Sequence, residues 1–185
     1  FTVGKEGTHQ GFTTGRDIIL DFASKYVEEN AYKFKGEVKI WTVGYSRGAG
    51  VANLLALTDI MIPSEEFAMG HTGEKDAASA AKKLYELYHP QYVVVTRGKL
   101  GGLLFDGETV TEYPIYPADV VDSNGSGDMF HGAFAAGYVK GYDFLKCCFF
   151  SSAVSAIECT GIGARESVPS FETVKEFLKE KGYEL

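Results

Sequence analysis

Five consecutive residues, Tyr92-Val93-Val94-Val95-Thr96, leave this chain few folds to choose from. A half-exposed strand alternates apolar and polar side chains; a β-branched run without alternation has to be covered on both faces. Helices supply that cover, and the flanking sequence predicts them. Residues 73–89 place Ala77, Ala80, Ala81, Leu84, Leu87 and Tyr88 on one helical face, expected to point inward. Further helices are expected at about 127–140, 143–159 and 171–181, and from Thr14 to Tyr32, where Ile18, Ile19, Phe22, Tyr26 and Val27 recur at spacings of three and four. Residues 38–43 and 59–63 read as strands and 47–57 as a helix. Within 101–113, Asp106-Gly107 between two strand-like runs signals a hairpin. Strands alternating with helices predict an α/β fold: a three-layer sandwich with a mostly parallel sheet, right-handed crossovers and one antiparallel hairpin. At 185 residues, one such domain with a sizeable core is expected.

Charge narrows the function classes. The net charge of −7 argues against nucleic acid, which needs a basic face. A phosphorylated ligand would need Mg²⁺ or converging backbone N–H groups to offset repulsion. Cys147, Cys148 and Cys159 fall in one apolar region and read as buried reduced thiols. There is no uninterrupted apolar run of about 18 residues and no charged-then-apolar leader, so no membrane partner and a cytoplasmic location are expected.

Two glycine turns compete for the chemistry. Gly44-Tyr45-Ser46-Arg47-Gly48 fits G-x-S-x-G between a strand and a helix, the setting of a nucleophile elbow. With Thr8-His9-Gln10-Gly11-Phe12 and the helix after it, residues 8–57 resemble the middle of a class 3 lipase, which implies a nucleophilic role for Ser46. Hydrolysis also needs a base, an acid to orient it and oxyanion donors. The downstream histidines, His71, His89 and His131, sit in other settings, which leaves Ser46 as a vestigial nucleophile.

In the second turn, Gly125, Ser126 and Gly127 open a helix whose first N–H groups have no internal partner. Small residues let an anion approach them, and the helix dipole favours its charge. Asp128 follows directly. Residues 59–68, 92–107, 122–134 and 156–178, in that order, resemble the C-terminal half of ribokinase-like (PfkB) carbohydrate kinases. The resemblance implies an anion hole at Gly125, Ser126 and Gly127 for the transferred phosphoryl group, and Asp128 as the base for a sugar hydroxyl. It implies nucleotide contacts at Thr96 and Gly98 along the phosphates and at Gly161 and Gly163 beside adenine and ribose. ATP and Mg²⁺ are the implied cofactors, with K⁺ as a further candidate at Asp122 and Asn124. Where this family reads Asn-x-x-Glu, the chain has Ser64-Glu65-Glu66-Phe67, so Glu66 is left to act on Mg²⁺ through water.

Nothing in residues 1–57 resembles the acceptor half of such a kinase. The sequence therefore predicts a lipase-like segment (1–57) spliced to a kinase-like segment (58–185) at residues 56–59. Three functions stay open: a kinase remnant with weak or no catalysis, a serine hydrolase, and a chimeric scaffold without activity. The expected partners are a nucleotide and a small sugar, with oligomerisation left open.

Overall fold

The computed structural model describes residues 21–22, 24–33 and 59–184. The chain divides into two compact units, Phe1–Thr58 and Asp59–Leu185. In the first unit, residues 21–22 and 24–29 are helical, within the helix expected from Thr14 to Tyr32, and a 3₁₀ turn follows at Ala31–Lys33. Phe22 and Tyr26, one helical turn apart, stack with ring centroids 6.4 Å apart. The strand expected at 38–43, the elbow with Ser46, the helix expected at 47–57 and the stretch 8–12 lie outside the described residues.

The second unit holds four strands in spatial order β1 (Ile60–Met61), β2 (Tyr92–Thr96), β3 (Gly102–Phe105) and β4 (Val110–Tyr113). β1 runs parallel to β2, pairing Ile60 with Tyr92 and Met61 with Val93. β2 and β3 are antiparallel, and so are β3 and β4. Among the described residues the sheet is thus mixed, with one parallel pairing and two antiparallel ones. The physical reason is loop length: the connection from Thr96 to Gly102 is too short for a crossover, so the chain turns back beside itself. Asp106 closes the β3–β4 hairpin as expected, its Oδ1 accepting from the backbone N–H groups of Glu108 (2.9 Å) and Thr109 (2.7 Å).

The β-branched run is covered on both faces, as its composition demands. Val93 and Val95, with Leu103 and Phe105 from β3, pack against Ala68 of α1 (Glu65–Thr72) and Ala77, Ala80, Ala81 and Leu84 of α2 (Ala77–Tyr88). Val94 and Leu104 face the other way, onto Phe130 and Phe134 of α3 (Ser126–Val139) and Cys147 and Cys148 of α4 (Phe144–Glu158). α5 (Phe171–Glu180) closes that layer through Val174 and Leu178. Each fully buried Val or Leu stabilises the sandwich by about 1.5–3 kcal/mol before conformational costs. Burial pushes the Cys147 thiol up to about 12 and Cys148 well above the usual range, so both remain protonated packing groups.

Two local expectations are corrected. Leu87 and Tyr88 are exposed, because the inward stripe of α2 outruns the core that ends beneath Leu84 and Tyr85. Helix α1 falls where only a motif was read. Its start signal was present: Ser64 caps it by accepting from the N–H of Phe67 (3.2 Å), and Glu65 and Glu66 sit in its first turn.

Candidate functional site

The turn before α3 is built by Asp122. Its Oδ1 accepts from the N–H of Asn124 at 2.9 Å, a tight local turn, and its Oδ2 accepts from the N–H of Gly163 at 3.1 Å. One carboxylate thus ties the 122–128 turn to the 160–164 loop. These two bonds hold the Asp122 carboxyl below the usual carboxylate range, the Asn124 bond contributing most. The N–H groups of Val121 and Asp122 also donate to the Cys159 carbonyl, at 2.8 and 3.2 Å.

Gly125 then turns the chain into the helix at φ 95°. A Cβ there would collide with the Ala164 Cβ, so the position demands glycine for both dihedral and space. Gly127 differs: a Cβ would meet nothing within 4 Å. The space over the first turn of α3 is therefore open, and Asp128 stands exposed beside it. The turn presents small residues, backbone N–H groups that the helix cannot pair internally, and one carboxylate.

Glu158 was not singled out from the sequence. It is 1% exposed and belongs to the last turn of α4, behind Gly125. Its Oε2 accepts from the Cys159 thiol at 3.5 Å. Burial raises its carboxyl above the usual range, and the nearby Asp122 charge adds to that. A charged residue inside an otherwise apolar run, Ala156-Ile157-Glu158-Cys159, was the available signal.

A second set of residues gathers at the ends of β1 and β2. Thr96 donates its N–H to the Pro63 carbonyl at 3.0 Å, and its hydroxyl lies 3.5 Å from the same oxygen. Gly98, at φ 51°, begins the 3₁₀ turn Gly98–Leu100. Arg97 pairs with Glu112 (2.9 Å) and Glu65 (3.5 Å), bracing β2 against β4 and α1. His131, one helical turn beyond Gly127, brings the two sets together: its Nε2 lies 2.9 Å from the Ile62 carbonyl. Hydrogen bonds among neighbouring residues thus link Thr96 to the turn bearing Gly125, Ser126, Gly127 and Asp128. Asp122 ties Gly163 to that turn, while the Gly161 N–H donates to the Glu158 carbonyl. Glu66 is exposed in the first turn of α1, Asn124 is exposed, and Ser46 is not among the described residues.

The sequence profile of pfkB family carbohydrate kinases matches residues 45–170. The chain belongs to this family. It is 31% identical over 159 residues, 86% of its length, to an ATP-dependent 6-phosphofructokinase of Thermoanaerobacterium thermosaccharolyticum, of which it covers 49%. An Arabidopsis thaliana ribokinase solved with ribose and ATP superposes with a TM-score of 0.64 at 30% identity, over 77% of this chain and 46% of that one. An E. coli protein described as ribokinase II, solved with ATP and Mg²⁺, has the same TM-score at 26% identity, over 71% of this chain and 42% of that one. The fold is accordingly ribokinase-like α/β. The chain spans about half the length of the curated relatives it matches.

These matches do not support the splice expected at residues 56–59. The kinase profile already begins at residue 45, and the phosphofructokinase match is longer than residues 58–185. Nothing in the comparisons supports a lipase-like segment. A glycine-flanked serine between strand and helix is a short pattern, and any α/β chain with a tight strand-to-helix turn can produce it.

The residues in place suit a nucleoside triphosphate of the kind the kinase relatives use. Open space stands over Gly127, where a Cβ would meet nothing within 4 Å, beside the first turn of α3. For Mg²⁺ the fit is different: among the described residues no three His, Cys, Asp or Glu side chains gather to hold a metal ion. That suits an ion held chiefly by phosphates and water, with Glu66 at most an indirect contact.

Proposed function

We propose that residues 59–185 form the nucleotide-binding and base-bearing portion of an ATP-dependent sugar kinase. The observation that carries this reading is the first turn of α3, where an open approach over Gly127 lies beside an exposed Asp128. The Gly125-Ser126-Gly127 turn would receive the γ-phosphoryl oxygens, as helix N-termini receive anions, with the Ser126 N–H exchanging its 3.3 Å bond to the Ser123 carbonyl for the phosphoryl group. Asp128 would take the proton from the attacking sugar hydroxyl as the new O–P bond forms, leaving that proton on its carboxyl oxygen. Mg²⁺, when bound, supplies charge neutralisation at the phosphates. Thr96 and Gly98 would run along the phosphates, and Gly161 and Gly163 would border adenine and ribose. Both oxygens of Asp122 already accept N–H bonds, so a monovalent cation at Asp122 and Asn124 would use the remaining lone pairs. No acceptor-positioning residues were recognised in residues 1–57. Positioning accounts for several kcal/mol of such barriers, so turnover by these 185 residues is expected to be weak or absent.

Calorimetric titration with Mg·ATP tests the reading. The expected Kd is on the order of 0.1–1 mM, lost in Gly127→Val and unchanged or slightly tighter in Asp128→Asn. No binding at millimolar nucleotide would refute it, as would binding that Gly127→Val leaves intact. Labelling of Ser46 by a fluorophosphonate would shift the assignment to a serine hydrolase.

A further inference from the structure

His131 lies between two carbonyl oxygens. Its Nδ1 is 2.6 Å from the Gly127 carbonyl, one helical turn back, and its Nε2 is 2.9 Å from the carbonyl of Ile62. Carbonyls only accept, so each ring nitrogen must donate to make its bond; a neutral ring carries one N–H and holds one carbonyl, while the doubly protonated ring holds both. A bond from a histidine to its own preceding turn is local and ordinary. The bond to Ile62, 69 positions away in sequence, is not. Ile62 directly follows β1 and precedes Pro63, whose carbonyl receives the N–H of Thr96 at 3.0 Å. The ring is held in place by Phe130, which meets it edge-on with centroids 6.4 Å apart and itself stacks on Tyr113 of β4 at 5.8 Å.

We propose that His131 is a positioning residue for the phosphate-receiving turn, pinning the Gly127 end of α3 to the end of β1. The pin sets where Asp128 and the first N–H groups of α3 stand relative to Thr96. It rests on the kinase reading above, in which the γ-phosphoryl group meets this turn. Loss of the pin therefore acts on the terminal phosphate and not on the rest of the nucleotide.

The test compares the wild-type chain with His131→Phe, which keeps a ring and loses both donors, and His131→Gln, which keeps a donor. Calorimetry with Mg·ATP and Mg·ADP is read beside ¹⁵N-histidine spectra. His131→Phe should weaken Mg·ATP about tenfold, the scale of one lost hydrogen bond, and leave Mg·ADP unchanged. His131→Gln should recover part of that loss. An equal loss for both nucleotides would make His131 a general structural residue and overturn the proposal, as would no loss for either. In the wild type, a slowly exchanging His131 ring proton on Nε2 with contacts to Ile62 is expected; a freely exchanging proton without them would overturn the pin. If the wild type bound neither nucleotide, the kinase reading would fall. The ring-proton spectrum would then still decide whether the pin exists, and it would fall with freely exchanging protons. Should His131→Phe not fold, His131→Gln and the wild-type spectrum carry the same decision.

Discussion

Gly125 and Gly127 are two residues apart in one glycine-rich turn, yet the structure assigns them opposite sensitivities. Alanine at 125 would be held at φ 95°, outside the comfortable range of an L side chain, at a cost of about 1–3 kcal/mol. Its Cβ would also strike the Ala164 Cβ, and displacing the packed 160–164 loop adds about 1–3 kcal/mol. Together these give a destabilisation of about 2–6 kcal/mol. For a unit of this size that is a drop of roughly 6–20 °C in Tm. Alanine at 127 meets nothing within 4 Å and replaces a helical glycine, so its stability should stay within about 1 kcal/mol of wild type, on the side of a gain. Thermal unfolding followed by circular dichroism gives both numbers, and the same samples are titrated with Mg·ATP. Gly125→Ala should melt early, while Gly127→Ala should melt near wild type and bind nucleotide more weakly. Equal Tm values for Gly125→Ala and wild type would refute the packing of residue 125 against the 160–164 loop. A Gly127→Ala variant as unstable as Gly125→Ala would refute the open cradle.

Two further predictions concern buried or tethered carboxyls. Asp122 has its folded pKa depressed, so its stabilising contribution is present above the unfolded value of about 3.9 and is lost as pH falls through the lower folded value. Urea midpoints of wild type and Asp122→Ala should therefore differ at pH 6 and converge on acidification below about pH 4; a difference that persists at low pH would sink the tether. Glu158 has its folded pKa raised, so its contribution is fully present below about 4.3 and is lost as pH rises through the folded value. Glu158→Gln should gain on wild type as pH rises above that point, and a variant less stable than wild type at pH 8 would contradict a strained buried carboxylate.

Much of the second unit was legible in the local sequence. The run Tyr92–Thr96 announced a doubly covered strand, Asp106-Gly107 announced the β3–β4 hairpin, and residues 127–140, 143–159 and 171–181 were expected as the helices that are α3, α4 and α5. These features depend on side-chain periodicity and turn chemistry within a few residues, so the one-dimensional order carries them. The glycine turn with Asp128 was visible for the same reason: small residues at a helix start have a local cause.

What the local sequence could not decide was which groups meet. That Gly125 must be glycine follows from Ala164, 39 positions later, and the different freedom of Gly127 follows from open space above it. Partners of Asp122 and His131 likewise come from elsewhere in the chain, Gly163 and Ile62, and the burial of Glu158 is set by the fold. A carboxylate's or imidazole's role depends on distance and dielectric, and both are set by tertiary packing. The serine at 46 shows the converse hazard, since a five-residue pattern suggested a chemistry that the wider family match does not support. Local pattern determined most elements of residues 59–184 and the place of the glycine turn before α3; only the packed structure decided which residues hold that turn in place, because hydrogen-bond partners distant in sequence are chosen by the fold.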